Sequence, residues 1–305
     1  PILVSKRNSI MIKIKILILS LLFSISAEAK LRVFTTTTNL ASLVEEIGKQ
    51  YVEVESLCRG TQDPHFLEAK PSFTFKLSKA DLLINIGAGL EQGWLPLIIR
   101  GSRNPDLREG QKGRLEAADH VKMIGTTKEK VTRADGDVHP EGNPHFLLSP
   151  SKGVEIARAI YNRLKQLDPK NYGHYQNNLE IYSKKINKKK EIWKQKLKPG
   201  LKVISYHKTL SYFYHDFNIT NVDVLEPKPG IPPTVSHILK IINKVKKNNI
   251  KKIIVENYFD DSVAKRVQKA SQGVVVHTVP VAVNGAEGIK SIYDLYDHLV
   301  KVLGE

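Results

Sequence analysis

Thr61-Gln-Asp-Pro-His-Phe-Leu-Glu-Ala-Lys-Pro-Ser72 decides how this chain reads. It follows an apolar-alternating run, Val52 to Cys58, and precedes a helix-forming stretch. Pro64 fixes φ just before His65, and Pro71 suits the first turn of a helix. His65 therefore sits on a stiff loop where a strand hands over to a helix. Open α/β sheets bind ligands at such places. Two later segments repeat the situation: Gly142-Asn-Pro-His-Phe-Leu-Leu-Ser-Pro150 and Ser205-Tyr-His-Lys-Thr-Leu-Ser-Tyr-Phe213. The working hypothesis is that His65, His145 and His207 meet on one metal ion. Imidazole is the commonest protein ligand for late first-row divalent metals. The three lie far apart in the chain, so spacing alone is a weak signal and no local zinc finger exists. Their shared position beside strand-to-helix loops is the stronger one.

The same alternation runs on either side. Leu31 to Thr35 reads as a strand, and Asn39 as the cap of a helix to about Gly48. A helix from Pro71 leads into Asp81-Leu-Leu-Ile-Asn-Ile-Gly87, which reads as a buried parallel strand. Trp94 to Arg100 is expected to be helical and Val121 to Ile124 to be a strand. Gly125 to Asn143 is polar, lacks any period and holds Asp135, Asp137, His139 and Glu141. A loop this long is usually functional or disordered. Lys152 to Leu167 and Tyr172 to Leu197 read as helices; about 26 residues at 1.5 Å each span roughly 39 Å. Pro199-Gly200 stops the second helix, and the β-α pattern resumes with Leu201 to Ser205, Val222 to Leu225, Lys252 to Glu256 and Val274 to Val279. The expected fold is α/β: two parallel-sheet lobes joined by a long rigid backbone helix. The boundaries are 1–29 for a leader, 30–150 for the N-terminal lobe, 151–198 for the helical segment and 199–305 for the C-terminal lobe.

The chain has 305 residues, 41% of them apolar, and one cysteine, Cys58. No intramolecular disulfide is available, so the core must supply the stability. Cys58 could be a thiolate ligand near His65, but a small apolar residue closing a strand is the reading that fits better. Met11-Ile-Lys-Ile-Lys15, the apolar run Ile16 to Ile25 and Ala27-Glu-Ala29 have the order of a cleavable signal peptide, with Pro1 to Ile10 upstream of the initiator. No cysteine follows the run, so the expectation is a periplasmic protein without a lipid anchor. The net charge is +16. Removing residues 1–29 takes away four positive charges and one negative, which leaves +13. The lysines cluster at helical spacing in Lys184 to Lys202 and Lys240 to Lys252, without interleaved aromatics or a docking motif. A solvated helix face fits this better than nucleic-acid binding.

Asp63-Pro-His65 with Lys70-Pro-Ser72, Asn143-Pro-His145 with Pro150, and Tyr206-His207 with Tyr212-Phe213 together resemble the solute-binding proteins of zinc and manganese ABC importers, the cluster A-I family. The resemblance covers nearly all of the chain after residue 29. It implies two α/β lobes on a rigid helix, with His65, His145 and His207 as ligands in the cleft between them. Histidine at the third position goes with zinc in that family, and a carboxylate with manganese. An all-imidazole set also suits Zn2+ better than Mn2+, which prefers oxygen. Many members supply a fourth ligand, an aspartate, after the last strand. Here Thr278-Val-Pro-Val-Ala-Val-Asn-Gly285 has no carboxylate. Glu256 is the first substitute, His139 the second, with Glu226 and water behind them. Glu256 could equally orient a ligand histidine. The remaining six histidines, His120, His174, His215, His237, His277 and His298, read as structural or surface residues.

The expected function is a non-enzymatic, monomeric metal receptor that hands its ion to an inner-membrane ABC permease. A zinc hydrolase with an open fourth position is one alternative, although no HExxH-type helix is present. A non-metal binding or adhesion protein is the other.

Overall fold

The structure, a computed structural model, describes residues 29–126, 139–228 and 230–305. The leader reading falls almost wholly on residues 1–28, outside the described residues, as do residues 127–138 of the polar loop.

The N-terminal lobe is built on β1 (Leu31–Thr35), β2 (Val52–Ser56), β3 (Leu82–Asn85) and β4 (Arg114–Glu116). All pairings are parallel, in the order β2-β1-β3-β4. Helices α1 (Thr38–Gly48), α2 (Pro71–Leu77) and α3 (Leu95–Ser102) connect them. The C-terminal lobe repeats this topology with β5 (Lys202–Ser205), β6 (Thr220–Val224), β7 (Lys252–Glu256) and β8 (Val275–Val279), in the order β6-β5-β7-β8. Its helices are α6 (Ser211–Asp216), α7 (Val235–Lys247) and α8 (Ser262–Lys269). Between the lobes run α4 (Pro150–Leu167) and the long α5 (Tyr172–Lys196), and α9 (Ile292–Gly304) closes the chain. Because every strand is parallel, the loops that leave the strand ends of each sheet share one edge. In both sheets the connections diverge beside the first strand, which opens a crevice at that edge.

Helix α5 has 25 residues and is about 38 Å long. Its buried side chains are Tyr175, Leu179, Tyr182, Ile186 and Trp193, which recur every three, four or seven positions and form one stripe. The lysines occupy the rest of the surface. Asp168 organises the turn into α5, accepting from Asn171 Nδ2 at 2.8 Å and from the Tyr175 hydroxyl at 2.6 Å. Trp193 packs edge-on against Tyr296 and Phe217, with centroids 5.4 and 6.5 Å away, and its indole N–H donates to Asp297 at 2.6 Å. One apolar cluster runs from Val33 and Leu82 in the first sheet through α4 and α5 to Val203, Ile254 and Val279 in the second. Separate clusters fill the outer face of each sheet. The lobes therefore share a core as well as a linker.

Two local expectations are corrected. The fourth strand is Arg114–Glu116, with Val121 to Ile124 in bends. Only Leu115 in that edge strand is buried, so it carries almost no apolar pattern. The cap of α1 is Thr37, whose hydroxyl accepts from Leu40 N, and Asn39 lies inside the helix. The Asn39 amide instead reaches the other lobe. It donates to Val281 O at 3.1 Å and accepts from Val283 N at 2.8 Å, as a neighbouring strand would.

The shared core makes a prediction. Trp193→Ala removes a side chain that is 1% exposed and touches both α9 and the segment after α6. It should cost about 3–5 kcal/mol, read as a lower urea midpoint in a single transition by circular dichroism. Two separated transitions, one per lobe, would contradict a common core.

Candidate metal centre

Each histidine is brought in by a loop that leaves the C-terminal end of a strand, and each loop is fixed by its own sequence. After β2, Asp63 caps the short 3-10 turn Pro64–Phe66, and its Oδ1 accepts from His65 N at 3.0 Å. The same oxygen lies 2.6 Å from His65 Nδ1. The Trp94 indole donates to Pro64 O at 2.9 Å and pins the loop on α3. After β4 the chain returns through Asn143, whose Oδ1 accepts from His145 N at 2.9 Å. Asn143 is held by the other lobe. Its amide donates to Lys208 O, and its carbonyl accepts from the Tyr212 hydroxyl at 2.8 Å. That hydroxyl accepts from Ile124 N at 3.0 Å, so Tyr212 clasps both ends of the polar loop. After β5 comes His207, buried, with Nδ1 2.7 Å from Glu226 Oε2. Glu226 Oε1 accepts from Gly230 N at 3.0 Å.

These loops bring the predicted histidines together. Ring centroids lie 5.3 Å apart for His65 and His145, 5.6 Å for His145 and His207, and 6.2 Å for His65 and His207. His139 joins them, 5.3 Å from His65 between centroids and 3.1 Å between the two Nε2 atoms. Four imidazoles bound tetrahedrally to one zinc at about 2.0–2.1 Å would have nitrogens roughly 3.3 Å apart and centroids roughly 5 Å apart. The observed spacings approach this. Among the described residues no group of three or more His, Cys, Asp or Glu side chains is placed so that it could hold a metal ion. The rings are near the required separation without being drawn in. An open pocket of about 210 Å³, bordered by His139, Asn143, His145, His207, Lys208 and Pro227, lies beside them.

The proton positions follow from the partners. Burial raises the Asp63 carboxyl, but hydrogen bonds from the His65 side chain and backbone outweigh it and hold it below the usual carboxylate range. An ionised carboxylate can only accept, so His65 Nδ1 carries the proton. His139 Nδ1 faces the Ala88 carbonyl at 2.9 Å, another pure acceptor. His207 Nδ1 faces Glu226 in the same way. In three rings, then, Nδ1 is taken by a partner, which leaves Nε2 for a further one. The fourth, His145 Nε2, is buried with no hydrogen-bond partner. Burial, reinforced by its histidine neighbours, holds His139 down to about 4 and His145 well below the ordinary imidazole value. Both are neutral at physiological pH and available as donors.

The other expected residues fall into different places. Glu256, at the end of β7, is fully buried, and neither carboxylate oxygen has a hydrogen-bond partner. Burial raises its pKa. Thr209 is beside it, outside hydrogen-bond geometry. Glu226 faces Nδ1 of His207 and so orients a ring. Burial, with Asp63 and Glu91 nearby, pushes the Cys58 thiol up to about 12, and its Sγ faces the Arg59 and Gln62 carbonyls at 3.6 and 3.7 Å, as in a buried structural thiol. His237 bonds to Val224 O and His174 packs on Tyr51. Sequence reading passed over Glu91 and the Ala88 carbonyl; the run Gly87-Ala-Gly89 directly after a buried strand was the available signal.

Comparison with known proteins agrees with this architecture. Residues 33–305 match the family model described as "ZnuA: Zinc-uptake complex component A periplasmic". The metal ABC transporter substrate-binding lipoprotein SloC of Streptococcus mutans is 27% identical over 251 residues, 80% of this chain and 78% of the relative. The manganese ABC transporter substrate-binding lipoprotein PsaA of Streptococcus pneumoniae is 26% identical over 273 residues, covering 86% and 84%. Among solved structures, a crystal structure of ZnuA has a TM-score of 0.75 at 23% identity, covering 90% of this chain and 98% of that one. The substrate-binding protein FpvC of Pseudomonas aeruginosa, in complex with Mn2+, has a TM-score of 0.75 at 24% identity, covering 90% and 96%. These two support the fold.

The relatives correct one expectation. They are named lipoproteins, against a periplasmic protein without a lipid anchor. That expectation rested on the lack of a cysteine directly after the apolar run Ile16 to Ile25, and such a lack does not decide anchoring. From the match over residues 33–305, the chain belongs to the ZnuA family of metal ABC transporter substrate-binding proteins.

Proposed function

We propose that this chain is the zinc receptor of an ABC importer, holding Zn2+ through Nε2 of His65, His145 and His207, with His139 as the fourth donor. The reading rests on one observation above the others. Nε2 of His65 and Nε2 of His139 face each other at 3.1 Å while both Nδ1 atoms donate elsewhere. Two lone pairs at that distance repel unless a shared proton or a metal cation lies between them. Burial works against a proton on His139, and a divalent metal is the cation an imidazole set selects. His139 is preferred to Glu256 as the fourth donor because its nitrogen already lies at ligand spacing. Glu256 then lies outside the ligand set, buried at the end of β7.

Zinc is preferred to manganese because four nitrogen donors match its tetrahedral habit, whereas manganese favours six oxygens. A fourth imidazole also closes the position that a zinc hydrolase must keep open for water, which supports a receptor with no catalytic step. The ion is the cargo, passed to the importer's permease. The helical segment 151–198 and the lobes 30–150 and 199–305 are the proposed division of labour: a fixed spacer and two walls of one cleft.

Two outcomes test this. Protein purified without chelators and analysed by mass spectrometry should carry about one zinc per chain. His207→Ala should lose roughly a hundredfold or more in zinc affinity, since it deletes a ligand and not merely a supporting contact. Stronger binding of manganese than zinc by the unaltered chain would contradict the reading.

A further outcome concerns pH. The folded pKa of His139 lies near 4, below the ordinary 6.5, so as pH falls below 6.5 the unfolded chain takes up the proton first. The metal-free protein should lose stability as pH falls from about 6.5 to about 4. Thermal melts should decline across that window, and His139→Ala should flatten part of the slope. A flat wild-type profile would contradict the neutral, buried ring.

A further inference from the structure

Glu91 is a carboxylate that is 3% exposed and belongs to neither the ligand set nor an ion pair among the described residues. It follows the turn Gly87-Ala88-Gly89, where all three residues have positive φ, at 83, 51 and 79°. The glycines adopt this freely, but Ala88 does so only against its own Cβ. Gly87 is also closed to any side chain, because a Cβ there would meet the Glu116 side chain at 2.4 Å. Such a turn needs holding from outside. Glu91 Oε1 accepts from Thr36 Oγ1 at 2.6 Å and from Ile86 N at 2.8 Å, and Oε2 accepts from Gly87 N at 3.0 Å. All three partners donate, so a carboxylate satisfies every one and an amide cannot. The carbonyl that this turn presents is Ala88 O, the acceptor for His139 Nδ1 at 2.9 Å.

We infer that Glu91 is a positioning residue for the metal site: it sets the Gly87–Gly89 turn so that the Ala88 carbonyl keeps His139 in the Nδ1–H form with Nε2 turned to the ion. This rests on the reading of His139 as a zinc donor. A buried anion is costly in a loop that only connects a strand to a helix. Here it fixes one atom, a carbonyl oxygen, against a ring otherwise carried by the end of the polar loop. The tautomer of a ligand histidine is governed by what its other nitrogen meets, and loss of such support commonly weakens metal binding about 10–100-fold.

The test is a double-mutant cycle on the whole chain with zinc, read by chelator competition, with nitrogen NMR of the zinc-free protein. Glu91→Gln should weaken zinc roughly tenfold, His139→Ala should weaken it as well, and the double variant should bind no more weakly than His139→Ala alone. The His139 ring should be Nδ1-protonated in the unaltered protein and mixed in Glu91→Gln. Thr36→Val removes only the 2.6 Å bond and leaves both backbone bonds. It should move affinity and tautomer in the same direction by less, and it carries the test if Glu91→Gln does not fold. Wild-type affinity and an unchanged tautomer in the variant, or losses that add in the cycle, would overturn the inference while His139→Ala still reports on the site. Unweakened zinc binding in His139→Ala would overturn the site reading and this inference together.

Discussion

Nε2 of His65 and Nε2 of His139 face one another at 3.1 Å, and neither ring is free to turn away. Asp63 holds one by its Nδ1, and the Ala88 carbonyl holds the other. The pair is therefore an electrostatic demand for positive charge. His207, held by Glu226, and His145, whose Nε2 has no hydrogen-bond partner, widen that demand to four nitrogens. In a buried place the demand is strong, because little water is present to meet it. Much of the structure around the rings can be understood as keeping them aimed at one point.

The scaffold does this by sharing parts between lobes. Parallel strands deliver every site loop at a strand end, and the common core around α4 and α5 fixes the distance between the two sheets. Smaller contacts then cross the cleft. Asn39 pairs with Val281 and Val283, and Tyr212 clasps Ile124 and Asn143. His145 is thus supplied by the chain of one lobe and steadied by a tyrosine of the other. Lysines on the outer faces of α5 and α7 contribute to the net charge of +16. At physiological ionic strength a Debye length of about 8 Å screens them from a cation in the cleft.

Much of this was legible in the sequence because the signals were local. Proline before His65 and before His145, strand patterns ahead of His65 and His207, and a lysine-rich helix stopped by Pro199-Gly200 all act within a few residues. The illegible parts depend on distance. Asn39 has the composition of a helix cap, yet its amide is used 242 residues away. Arg114–Glu116 is a strand only because β3 lies beside it. His139 sits in a stretch without period, so its approach to His65 could not be read from its neighbours. Glu256 satisfied every local criterion for a ligand at a strand end, but no hydrogen bond or ring contact ties it to the histidines, whereas His139 touches one.

The most direct measurement is X-ray absorption at the zinc edge on the loaded protein. The expected spectrum shows four nitrogen neighbours at about 2.0–2.1 Å, with the outer-shell scattering of several imidazoles. A shell that contains a carboxylate oxygen in place of the fourth imidazole would return Glu256 to the site. Fewer than three imidazoles, or a sulfur neighbour, would contradict the proposed histidine centre.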